Sequence, residues 1–68
     1  MNTTHVCTWT DADGDDPSET FGDYATVVVR VLDRARHLRC ETTIDTDGVG
    51  HYTDDDGDIV ERFHIERI

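Results

Sequence analysis

The chain contains no lysine, and all six of its arginine and lysine positions are arginine in 68 residues. It holds one proline, one methionine and two cysteines. Two cysteines are too few for the disulfide framework that staples small secreted domains. Cys7 and Cys40 are therefore expected as free thiols in a reducing compartment, with a single Cys7–Cys40 bridge left open. No apolar run approaches the roughly 18 residues of a spanning helix, so no membrane association is expected. Residues 1–6 carry neither a basic region nor an apolar run of signal-peptide length, which points to a cytoplasmic protein. Large apolar residues are scarce too. Two Phe, two Leu, four Ile and seven Val make 15 of the 68 residues. That lies just above the roughly one-fifth below which a highly charged chain is expected to stay disordered. A core this small rarely supplies more than about 3–5 kcal/mol, so chains of this size usually need a disulfide, a metal or a second subunit.

Acid is abundant. Twelve Asp and four Glu bring the formal charge to −10. At low salt such charges repel one another and oppose compaction. At about 1 M salt the Debye length falls to roughly 3 Å, and most of that repulsion is screened. Dense short carboxylates without lysine resemble the composition of cytoplasmic proteins from extreme halophiles. The acids interleave with apolar positions and do not form one contiguous tail, which favours a folded halophile-type protein over an acidic tail. The length fits one small domain spanning residues 1–68.

Periodicity supplies the expected elements. Residues 4–10 read as a strand, with His5, Cys7 and Trp9 alternating against Val6, Thr8 and Thr10. Asp16 followed by Pro17 and Glu19 has the form of a capped helix start. Phe21, Tyr24, Val28, Val31, Ala35 and Leu38 then recur at steps of three and four, which predicts a helix over residues 17–39. The Val27-Val28-Val29 run makes a strand the competing reading there. Residues 40–46 alternate as a strand. Asp47-Gly48 predicts a type I′ hairpin, and residues 49–53 return as a strand. Residues 59–68 read as a last strand, although Asp58 and Glu61 also fit a helix start. The expected fold is α+β, β-α-β-β-β: one long amphipathic helix packed on a small antiparallel sheet. A helix of 23 residues spans about 35 Å. The expected strands run about five to ten residues, several of them about 20 Å long. The helix stripe outruns such a sheet, so Phe21, Tyr24, Val28, Val31 and Leu38 are expected to serve both the core and a homodimer contact.

Four constellations bear on chemistry. Asp11-Ala12-Asp13-Gly14, Asp45-Thr46-Asp47-Gly48 and Asp54-Asp55-Asp56-Gly57 share the pattern Asp-x-Asp-Gly. The first resembles the opening of an EF-hand loop over five residues, but Asp16 and Gly22 stand where that loop needs glycine and a bidentate glutamate. The plain reading is a solvated turn, with weak cation binding as the alternative. Residues 30–40 carry +3, between flanks of −6 and −7. Arg30, Arg34, Arg36, His37 and Arg39 in that segment are the candidate partner or anion-binding residues. A nucleic-acid-binding regulator is a further alternative, opposed by the overall charge. His5, Cys7, Cys40 and His51 form the one nitrogen–sulfur set from which a zinc site could be drawn, but their spacing matches no standard zinc signature. No nucleophile elbow, phosphate loop or metalloprotease motif is present, so neither catalysis nor a cofactor is expected. Composition and motifs together favour a small non-catalytic, homo-oligomeric interaction or regulatory module.

Overall fold

In the computed structural model, which describes residues 3–68, the three Asp-x-Asp-Gly segments build the same turn three times. In each, the first Asp accepts two backbone N–H groups on Oδ1. Asp11 accepts from Asp13 and Asp15 at 3.0 and 2.8 Å, Asp45 from Asp47 and Val49 at 2.8 and 3.1 Å, and Asp54 from Asp56 and Asp58 at 2.9 and 3.0 Å. The glycine lies in the left-handed region each time, with φ of 87°, 81° and 84° at Gly14, Gly48 and Gly57. Its N–H donates back to the carbonyl of the first Asp, at 3.0–3.2 Å. This is the three-residue hairpin loop, a type I turn followed by a left-handed glycine. It replaces the type I′ turn expected at Asp47-Gly48. Asp47 has no positive φ, and its N–H is held by the Asp45 carboxylate.

These turns shape the order of elements: β1 (His5–Asp11), β2 (Ser18–Gly22), α1 (Tyr24–Leu38), β3 (Glu41–Ile44), β4 (Val49–Thr53) and β5 (Ile59–Arg67). The α+β class stands, but the order is ββαβββ. The first third of the expected helix is strand β2. Asp16 adopts φ 54° and turns the chain back. Ser18, Thr20 and Gly22 then alternate with Glu19 and Phe21 along β1. The helix cap moves to Asp23, whose side chain accepts the Thr26 N–H at 2.8 Å. The Thr26 N–H and hydroxyl hold the Asp23 carboxyl below its ordinary pKa. At the other end Arg39 caps in the left-handed region (φ 57°, ψ 44°), and the Cys40 N–H reaches the Ala35 carbonyl at 2.9 Å. The helix therefore has 15 residues, about 22 Å at 1.5 Å per residue. β5 alone has nine residues, about 30 Å at 3.3 Å per residue. The helix does not outrun the sheet, and the length argument for a dimer falls away.

The five strands lie in the order β2-β1-β5-β4-β3, all neighbours antiparallel. The last segment is strand, as its Ile, Val and Phe content favoured. β2 and β3 are the edges, and α1 crosses from one edge to the other over a single face. Val27, Val31 and Ala35 from the helix pack on Cys7, Tyr52, Phe63 and Ile65 from the sheet. Trp9, Val28, Leu38 and Cys40 border this core. Tyr52 is fully buried and its hydroxyl is satisfied twice. It donates to the Val31 carbonyl at 2.8 Å and accepts from Trp9 Nε1 at 2.9 Å. Gly50 is required by packing, since a Cβ there would overlap the Phe63 ring and the Thr43 carbonyl. Arg34 ties the helix to β5 through two hydrogen bonds to Glu61, of 2.9 and 2.6 Å. Among the described residues the second face of the sheet has no covering layer and carries Val6, Thr8, His51, Arg62 and His64, in keeping with an antiparallel sheet that meets solvent on one side.

Candidate functional site

The basic helical segment divides by role. Arg34 is held by Glu61, which raises its pKa further. Arg39 is the helix cap. Arg36 is exposed on the outer surface and sits 3.4 Å from Asp33. Exposed pairs of this kind contribute little. Arg30, Arg34 and His37 do converge. With Asp33 they form one wall of an open groove of about 580 Å³. Ser18, Glu19 and Thr20 of the β2 edge form the other wall, and Trp9 reaches it from below. Among the described residues Arg30 makes no ion pair. A second, shallower depression on the helix shares Arg30 and Asp33 and adds Ala25, Thr26 and Val29.

The groove is open along its length, is walled by a strand edge that has no strand partner among the described residues, and mixes acid with base. The expected dimer residues do not form one surface. Val31 is 3% exposed and belongs to the core, with Val28 and Leu38 packed against it. Tyr24 is exposed and stacks edge-on against His5, ring centroids 5.3 Å apart. Phe21 is exposed but lies on β2, beside Val6 on the uncovered sheet face. Sequence reasoning missed Ser18 and Thr20 because residues 17–39 read as helix, and it placed Trp9 on a strand without its place at the groove. It also missed Val29, which sits outside the expected stripe.

The nitrogen–sulfur set is dispersed. Cys7 and His5 face the helix, whereas His51 pairs with Arg62 and points to the opposite face of the sheet. Cys40 begins the far edge. The four do not form a ligand sphere, and Cys7 and His51 cannot act as a pair. Burial pushes the Cys7 thiol up to about 12, so it is no nucleophile near neutral pH. Desolvation and the Asp54, Asp55 and Glu61 carboxylates push the Cys40 thiol up as well. Among the described residues the one group with metal-ligand geometry is Asp54, Asp56 and Asp58, whose carboxylates lie within 4.8 Å of one another. Asp54 already uses Oδ1 to hold the turn. No described helix is long and apolar enough to cross a membrane. No family model matches the chain, and no curated protein or solved structure matches it either.

Proposed function

We propose that the protein is a non-catalytic interaction module that works as a homodimer in a salt-rich cytoplasm. The observation that carries this reading is apolar surface left over after folding. Phe21, Tyr24, Val29 and Leu32 are 57%, 54%, 56% and 46% exposed, in a chain with few large apolar residues to spare. Burying such side chains against a partner is favourable, and a second copy is the staple this small core calls for. The high acid content suits a surface that stays hydrated when salt screens its repulsion. A zinc reading has no ligand set behind it. A nucleic-acid reading loses Arg34 to its bond with Glu61 and faces a net charge of −10.

The test is the dependence of stability on protein concentration. If the native form is a dimer, the urea midpoint rises as the protein is concentrated, because association stabilises by mass action. A midpoint that stays constant over a hundredfold concentration range rejects the proposal.

A further inference from the structure

We infer that the second copy docks along the β2 edge, about a two-fold axis that runs beside β2, next to the Trp9–Arg30 groove. This rests on the homodimer reading and assigns its seam. Two features of the groove are each self-complementary under the same axis.

The first is the strand. β2 is an edge of the sheet, so one side of its backbone has no strand partner. Edges of this kind pair with another chain unless they are blocked. Antiparallel pairing of two β2 strands about Thr20 sets Thr20 against Thr20, Glu19 against Phe21 and Ser18 against Gly22. No like charges face each other, and opposed like charges are what would forbid it. Ser18, Thr20 and Gly22 point to the helix side and are small, which leaves space above the seam. The opposite edge, β3, is only four residues long and opens on Glu41.

The second is the helix. Thr26, Arg30, Asp33 and His37 follow one another at steps of four, three and four along the flank of α1 that overlooks β2. Two such flanks brought together antiparallel, with the axis between Arg30 and Asp33, place each Arg30 against Asp33 of the second copy. They also place each Thr26 against His37 of the second copy. The shallow depression formed by Ala25, Thr26, Val29, Arg30 and Asp33 would receive the opposing helix ridge, covering Val29. The strand centre (Glu19, Thr20) and the helix centre (Arg30, Asp33) stand on opposite walls of a single groove. One axis beside β2 would serve both, with the long Arg30 side chain spanning the groove to the second copy, and the joined sheet would have ten strands.

Reciprocity makes the seam testable by charge exchange. Arg30→Asp sets acid against acid twice, and Asp33→Arg sets base against base twice. An equimolar mixture of the two variants sets acid against base twice. Both residues are exposed in one copy, and circular dichroism verifies that each variant folds. Sedimentation equilibrium then reads the association. The expected result is a wild-type dimer, at least an about tenfold weaker dimer for either variant alone, and recovery in the mixture. Glu41→Arg, on the opposite edge, leaves the dimer as it is. A wild-type dimer unaffected by either variant overturns the seam and leaves the homodimer reading standing. Variants that dissociate without recovery in the mixture overturn the two-fold geometry. A monomeric wild type overturns both readings, and the groove would then belong to a different partner.

Discussion

Removing one oxygen from the core tests the packing directly. In Tyr52→Phe the ring keeps its place against Phe63, its tilted neighbour at 5.1 Å. The hydroxyl that joins helix and sheet disappears. Two groups lose a partner: the Trp9 indole N–H at 2.9 Å and the second lone pair of the Val31 carbonyl at 2.8 Å. A buried donor left without a partner costs about 1–3 kcal/mol. Trp9 is only partly buried, so water can reach it, and the lower half of that range is expected. Against a total of about 3–5 kcal/mol for a core this small, a loss of about 1.5 kcal/mol removes roughly a third to a half of the stability. Equilibrium urea unfolding, followed by Trp9 fluorescence at fixed high salt and fixed protein concentration, reads the change. The midpoint should fall with the slope unchanged, since the surface exposed on unfolding is the same. A loss below about 0.5 kcal/mol would mean that the hydroxyl does not hold the helix to the sheet, and the packing argument would be refuted.

Four further outcomes follow from the same structure. Burial holds the Cys7 thiol at about 12 against an ordinary 9.0, and Tyr52 at about 12 against 10.0. Both folded values lie above the unfolded ones, so their contribution is complete below about pH 9 and is lost as pH rises from 9 toward 12. Alkaline titration of the urea midpoint should show that decline, and a flat profile to pH 12 contradicts it. Asp45→Ala and Asp54→Ala each remove the acceptor of two turn N–H groups and should cost about 1–2 kcal/mol. Asp47→Ala and Asp56→Ala should be near neutral in the same unfolding assay. Gly50→Ala should unfold much of the chain at room temperature by driving a methyl into Phe63, seen as loss of near-ultraviolet circular dichroism. Arg39→Gly should raise stability by about 1 kcal/mol, because glycine takes the left-handed cap conformation without the Cβ penalty. A fall in the midpoint would show that the Arg39 side chain contributes more than its backbone costs.

Much of the architecture was legible in the alternation of apolar and polar residues. Residues 4–10 read as a strand because His5, Cys7 and Trp9 alternate with Val6, Thr8 and Thr10, and β1 spans His5–Asp11. The meander from β3 to β5 was visible because two Asp-x-Asp-Gly turns punctuate it. The stripe Val28, Val31, Ala35 and Leu38 correctly oriented the helix. The start of the helix was hidden. Phe21 and Tyr24 continue the helical spacing by coincidence, and Asp16-Pro17-x-Glu19 imitates a cap. Residues 18–22 instead pair with β1, a contact that lies across the hairpin and leaves no local trace. Val27 is the most buried helix residue, yet three consecutive valines fit the period equally well to within one position. The groove followed the same pattern. Arg30, Arg34 and His37 could be grouped by spacing, but its other wall is β2, which the helical reading had removed. The Asp-rich turns showed their chemistry only in three dimensions. The first carboxylate of each is spent on backbone N–H groups, which accounts for the motif without a cation.

The central claim is self-association, and molecular mass is its most direct measure. Sedimentation equilibrium in about 2 M KCl, where the Debye length is a few Å, separates the possibilities without any variant. The account predicts a species of twice the 7.7 kDa chain mass that dissociates on dilution. A single species at the mass of one chain, maintained up to millimolar concentration, would contradict it.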